Sequence, residues 1–439
     1  MKILTSSHAI SSVLLLFMGT IITSESVRAD DIKALKAQVE LLMKRVNQLE
    51  GRLEQVTQAA KSSPQAPLVA PVVADATSGP APIETQKEST ILAQVPKKVK
   101  SGNDKVQVSL SGHVNRAVLW ADNGQHSRIF HVENDVMPTR FRLVGVGKYS
   151  EDLTLGSTIE TQIRSNGTDD IDIGTQLSGN QTVTFTERKI EVYADSKKFG
   201  KLWLGQGDVA SAYANAVDLS GTTTVGAGAT VEDIPGGVTF RDRNKPNLKD
   251  SKVIDAWDGM DGVLRADRIR YDTPSFQGFK ATVSHTDGDS GDGAINFAGE
   301  FGKTQIQAAV SAAKKRNTYD QYNGSASVLF SSGISVGGAL GTRNGKRPKT
   351  FNASLAHGKL GYQFKWFNTG ITAFAVDYGQ MRKTTGPHDK VTTYSFMAVQ
   401  NLEEVAAELY FTLRCFDLKR PGKDFGQVKA AIFGALVKF

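Results

Sequence analysis

The chain is poor in cysteine. Cys415 stands alone among 439 residues, which excludes an intrachain disulfide framework. Long apolar runs are also missing. Beyond the N-terminus none approaches the roughly 18 residues of a membrane helix, and mean hydropathy is −0.26. A helical membrane protein is thereby excluded, but a barrel is not, because lipid-facing and lumen-facing residues alternate and average out. The formal charge of +7 is mild and its basic residues are scattered, which argues against nucleic-acid binding. Catalytic signatures are wanting too. No Ser/His/Asp arrangement has local support, and the glycine-rich parts lack a phosphate-loop lysine pattern. His113, His126 and His131 have no metal-ligand spacing. Neither an enzyme nor a cofactor or metal site is expected.

What is present changes character along the chain. Residues 1–29 have the form of a secretory signal: Lys2, an apolar run from Ile10 to Ile22, and small residues Val27 and Ala29 flanking Arg28 before the expected cleavage point. Residues 30–58 open on Asp30 and Asp31 and then carry Ile32, Leu35, Val39, Leu42, Val46, Leu49, Leu53 and Val56 at alternating spacings of three and four. That seam predicts a short α-helical coiled coil, dimeric or trimeric. Residues 59–104 contain Pro64, Pro67, Pro71, Pro80, Pro82 and Pro96 and read as an extended linker.

From residue 105 to 439 the period becomes two. Leu409, Phe411, Leu413 and Cys415 alternate with Glu408, Tyr410, Thr412 and Arg414, and Ile306, Ala308, Val310 and Ala312 alternate with Gln305, Gln307 and Ser311. About sixteen such strands fit, joined alternately by short and long connections, as in an outer-membrane barrel. Short connections include 150–152, 273–275, 331–333 and 401–403; long ones include 121–137, 165–181, 207–262 and 419–426. The last strand places Phe433, Ala435, Val437 and Phe439 on one face, and closure requires it to pair with the first. The fold class is all-β: a 16-stranded antiparallel transmembrane β-barrel.

The 207–262 stretch is far longer than the usual connection of about 4–6 residues and has no period of its own. In a barrel its use is to fold into the lumen and narrow it. In the second strand Phe141 and Leu143 share one face, leaving Arg140 and Arg142 on the other; Arg268 and Arg270 likewise oppose Ile269 and Tyr271. Arginines facing lipid are costly, so these four are expected to line the wall of a constriction. Asp208, Asp218, Glu232, Asp233 and Asp242 on the long loop are expected to oppose them across a transverse field. Arg116 falls on the nominal apolar face of the first strand, which calls for a bulge or a subunit contact. Asp287, Asp289 and Asp292 have the opening spacing of a calcium loop without its distant glutamate, and are read as a solvated acidic loop.

The segment Thr139-Arg140-Phe141-Arg142-Leu143-Val144-Gly145, the turn Glu151-Asp152-Leu153, the strand Phe199-Gly200-Lys201-Leu202-Trp203-Leu204-Gly205, the loop piece Asp233-Ile234-Pro235-Gly236-Gly237 and the hairpin Arg270-Tyr271-Asp272-Thr273-Pro274-Ser275-Phe276-Gln277-Gly278-Phe279 together resemble the trimeric general porins of Gram-negative outer membranes. The likeness covers roughly residues 106 to 286 and the C-terminal strand. It departs at Gln206, where the family often has arginine, and at Arg142, where glycine is common. The N-terminal helix resembles a branch with periplasmic helices. The resemblance implies a homotrimer in outer-membrane lipid, with its N-terminal segment in the periplasm and in contact with the cell wall. It also implies a water-filled channel for passive diffusion of small hydrophilic solutes and ions. A channel specific for small anionic solutes, and an adhesin or cell-wall tether, are the alternatives.

Overall fold

The computed structural model describes residues 97–99, 103, 105–174, 183–245, 249–347 and 351–439. The expected signal sequence, the coiled coil and most of the linker lie outside them.

The strands in chain order are β1 Lys97–Val99, β2 Gln107–Asp122, β3 Ser127–Val132, β4 Arg140–Lys148, β5 Leu153–Arg164, β6 Thr184–Ser196, β7 Gly200–Asp208, β8 Thr239–Arg241, β9 Lys249–Lys252 and β10 Arg265–Asp272. They continue with β11 Phe279–Thr286, β12 Ser290–Phe301, β13 Thr304–Lys315, β14 Tyr319–Leu329, β15 Ile334–Gly345, β16 Ala353–Phe367, β17 Gly370–Arg382, β18 Lys390–Leu402, β19 Ala407–Lys419 and β20 Val428–Lys438. Sixteen of them, β2, β4–β7 and β10–β20, form the antiparallel barrel, each paired with the next. The seam closes where β2 pairs with β20, from His113 opposite Lys438 to Asp122 opposite Lys429. β1 adds a short pairing to the foot of β2. β3 pairs with the upper half of β2, above the point where β4 takes over. The 121–137 connection therefore contains a strand that its sequence did not announce.

Alternation sets the two faces. Outward residues such as Leu204, Ile269, Val310, Leu360, Leu413 and Phe433 are exposed, while inward Ser325, Asp377, Thr393 and Arg414 are buried. The polar residues are inside because the wall is wetted from within and meets hydrocarbon from without. Cys415 follows the outward parity of Leu413 and is buried beneath its cross-strand neighbour Tyr394. Arg116 is outward as well, between Val114 and Val118, and no bulge interrupts its pairing with β20. Its Nη1 donates to Ser165 Oγ at 2.7 Å.

One bulge matters greatly. Between β5 and β6 the register shifts, so that Glu160 opposes Lys189 and Thr161 opposes Glu187, leaving Arg188 extra. A β-strand normally sends successive side chains to opposite faces. Here Arg188 and Lys189 both turn inward, to Glu160 and to Asp208.

The connection between β7 and β10, residues 209–264, attaches to inward side chains around the barrel. Val217 and Leu219 N–H donate to Ser325 and Ser327 Oγ on β14. Gln363 Nε2 on β16 donates to Leu219 O, and Thr224 Oγ1 meets Glu408 on β19. Val225, Val231, Ile234, Val238, Phe240 and Trp257 of the loop then join Leu119, Phe130, Val136, Phe416, Ile432 and Leu436 in one buried apolar cluster. Trp257 packs edge-on to Phe416 and donates its indole N–H to Ala229 O at 3.0 Å. It lies so close to Gly379 that a Cβ there would sit 2.5 Å from its ring. The loop thus covers inward residues of β14, β16, β17 and β19.

Candidate channel constriction

On β4, β5 and β6 three arginines surround one carboxylate. Glu160 accepts from Arg142 Nε at 2.7 Å, Arg188 Nε at 2.6 Å and Arg140 Nη1 at 3.5 Å. Arg188 also reaches Gln162 Oε1 at 3.1 Å. Beside this cluster Asp208 takes Lys189 at 2.8 Å and Arg265 at 3.5 Å, with Tyr213 OH donating to it at 3.3 Å. Arg268 pairs with Glu191 at 2.6 Å, and Arg270 with Asp272 at 2.7 Å. Lys280 shares Asp272 at 3.3 Å. On this wall eight cations, Arg140, Arg142, Arg188, Lys189, Arg265, Arg268, Arg270 and Lys280, face four carboxylates, Glu160, Asp208, Glu191 and Asp272.

Arg268 and Arg270 do a second thing. Their guanidinia donate to Asp208 O at 3.0 and 3.1 Å, and Arg270 also to Val209 O at 3.1 Å. They hold the backbone at the point where the strand leaves the wall. The four arginines expected on the wall are inward, but their nearest carboxylates, Glu160, Glu191 and Asp272, are wall residues, not loop residues.

The five acidic residues expected on the loop do not form one group. Asp208 is the last residue of β7, so it belongs to the wall; the strand runs two residues into the stretch expected to be loop. Asp218 sits against the opposite wall, bound by Lys359 Nζ at 2.7 Å. Burial alone would raise its pKa, but the Lys359 ammonium outweighs that and holds it low. Asp242 lies where the loop meets the 420–427 connection, bridged to Phe425 and paired with Lys423 at 3.3 Å. It stands at the mouth, because the β8–β9 hairpin carries it back up.

Glu232 and Asp233 remain together. Glu232 accepts Val231 N–H at 2.7 Å and Gly259 N–H at 3.0 Å. Burial, then repulsion from Asp233 and Asp258, pushes its pKa up to about 8. Asp135, in the connection before β4, is raised to about 7 by burial and by Asp233 and Glu133, against the pull of Arg164. Asp258 pairs with Arg343, and Asp261 Oδ1 accepts Tyr213 N–H at 2.5 Å. Tyr213 thus ties the acidic side of the loop to the cationic wall.

Sequence reasoning missed Glu160, Arg188, Lys189, Arg265 and Tyr213. Glu160 and Arg265 carry the inward parity or the strand-end position that period two could have flagged. Arg188 and Lys189 are adjacent, and only a bulge lets both face the lumen. Asp287, Asp289 and Asp292 diverge: Asp289 meets Arg316 outside, whereas Asp292 accepts Ser211 N–H at 2.7 Å inside. Among the described residues no cluster of three or more potential metal ligands occurs.

The family model described as Gram-negative porin matches residues 69–419. No curated protein sequence matches the chain. Among solved structures the chain is similar to the anion-selective porin from Comamonas acidovorans, with a TM-score of 0.53 and 18% identity, covering 76% of this chain and 100% of that one. It is also similar to the outer-membrane expressed OmpT of Vibrio cholerae, with a TM-score of 0.50 and 11% identity, covering 78% and 100%. At these identities the likeness is one of fold.

Proposed function

The chain belongs to the Gram-negative porin family, and from that premise we propose that its channel favours small anionic solutes. As a porin it forms a water-filled channel through the outer membrane. The preference is supported by one observation: on β4–β7, β10 and β11 eight cations are grouped around Glu160, Asp208, Glu191 and Asp272, with three arginines on Glu160 alone. A lumen lined by one sign of charge, with low-dielectric walls, concentrates the opposite ion. The acidic side of the loop is weakened as a counterweight, because burial and mutual repulsion favour the protonated form of Glu232 at neutral pH. Planar-bilayer recording under a salt gradient tests this. A reversal potential on the chloride side is expected. A potassium-side potential would refute the anion preference, and no conductance at all would refute the channel.

We also take the protein to be a homotrimer. In support, Arg116 is exposed on the outer face of β2 among apolar side chains, where a neighbouring subunit would shield it from hydrocarbon. The 30–58 seam would add a helical contact at each N-terminus in the periplasm. Deleting 30–58 is expected to weaken assembly without abolishing the barrel; a monomeric mass before and after deletion would refute the reading.

A further inference from the structure

Nearer the short-turn rim, in the row that contains Arg270, the wall changes chemistry. Tyr193 of β6 is opposite Trp203 of β7, and Asp195 is opposite Lys201. Both aromatics share the inward parity of Glu191, and they lie two rows below Glu160, roughly 13 Å along the strands. The rings are 5.0 Å apart at 54°. Lys201 Nζ sits 3.8 Å from the Tyr193 ring and 3.9 Å from the Trp203 ring. The indole N–H of Trp203 donates to Asp272 Oδ2 at 3.3 Å, which fixes the ring plane. Tyr193 lies against the wall because Gly156 beneath it has no side chain; a Cβ there would come within 2.2 Å of the ring.

We propose that Tyr193, Lys201 and Trp203 form a low-affinity binding site for a planar aromatic carboxylate passing through the channel. The site deepens the anion reading and rests on it. Both rings are only half-buried, in a tier whose other inward residues include Val146, Gly156, Arg270, Ser284 and Asp292. The ammonium of Lys201 is held upright by two ring faces, with Asp195, itself nearly half exposed, 3.4 Å away. At this level Lys148, Lys201, Arg270 and Lys280 exceed Asp195, Asp272 and Asp292 by one charge. A solute carboxylate would take that excess, and its ring would pack on the uncovered edges of Tyr193 and Trp203. Edge and offset contacts between aromatic rings are favourable beyond the area they bury. A saturated ring of the same size gains no such contact.

The test is block of chloride current through the full-length protein by benzoate, cyclohexanecarboxylate and acetate. Benzoate is expected to half-block at a concentration roughly three- to tenfold below that of cyclohexanecarboxylate, with acetate weakest. The paired change Tyr193→Leu and Trp203→Leu should erase the difference, and Trp203→Phe should retain most of it. Lys201→Gln should weaken benzoate and cyclohexanecarboxylate alike. Equal block by the two rings in the unaltered protein, or an undiminished benzoate preference in the paired leucine variant, overturns the site. Reversal potentials on the same preparations separate this from the broader reading. A chloride-preferring channel without benzoate preference sinks the aromatic site alone, and a potassium-preferring one sinks the anion reading.

Discussion

Replacing Glu160 by Gln removes the single carboxylate that Arg140, Arg142 and Arg188 share. Glu160 is 1% exposed, and its nearest guanidinium contacts lie at 2.5 to 3.5 Å. Breaking a buried ion pair by removing one partner typically costs about 3–5 kcal/mol, and here three cations are left facing one another. The barrel as a whole is held by its strand pairing, so the local cost should appear as a lower thermal transition, not as failure to form the barrel. The effect on passage follows from Coulomb's law. With about 10 Å between the lost charge and a passing ion, the interaction is about 0.4 kcal/mol in water. It acts with opposite sign on anion and cation, so the permeability ratio should move toward anions by about fourfold at low salt. At 0.1 M salt, where screening operates over about 10 Å, about 1.7-fold should remain. Arg188→Gln should move the ratio by a similar factor toward cations. The assay is the reversal potential of each variant at two ionic strengths. Shifts in the same direction, or none, would refute the reasoning that this cluster faces the permeating ions.

Three further outcomes are expected. Because burial and Asp233 hold the Glu232 pKa at about 8, its carboxyl ionises as pH rises through that value, so anion preference should fall between about pH 7 and 9. In Glu232→Gln only the part that Asp135 contributes near pH 7 should remain and the fall between about pH 8 and 9 should vanish; reversal potentials across the range check both. The sign for stability agrees: a carboxyl raised on folding is most favourable below its ordinary value and loses that contribution as pH climbs through the folded one. Trp257→Ala should cost about 3–5 kcal/mol of loop packing and appear as open-channel current noise, since Trp257 is fully buried against Phe416 and Gly379. A water-soluble thiol reagent should leave conductance unchanged, since Cys415 has the outward parity of Leu413; rapid labelling with current block would mean the strand is one residue out of register.

The barrel was legible because period two survives through most of its long strands. It put Arg140, Arg142, Arg268 and Arg270 on the inward face, and the structure has them there. The clusters those residues make were not legible. Which carboxylate meets which arginine depends on inter-strand register, and Arg188 beside Lys189 depends on a bulge that composition does not mark. The loop hid its apolar anchors differently. Val225, Val231, Ile234, Val238 and Phe240 are spaced irregularly among Gly, Ala and Thr, so no period gathers them. They converge only because a curved wall surrounds them. β3 was hidden within a connection for a related reason: six residues paired on one side to β2 leave too short a signal.

The apolar cluster inside the barrel bears on how the cylinder closes. A lumen filled only with water offers the first and last strands no inward reason to meet. Here Leu119 of β2 and Ile432 and Leu436 of β20 carry apolar side chains on the inner surface of the seam, beside outward Val118 and Phe433. Bringing the two ends of the sheet together therefore removes hydrocarbon from water on the inner surface, while the outer one meets lipid. The folded loop lies on the same inner surface: its Val225, Val238 and Phe240 share one buried cluster with Leu119, Ile432 and Leu436 of the seam.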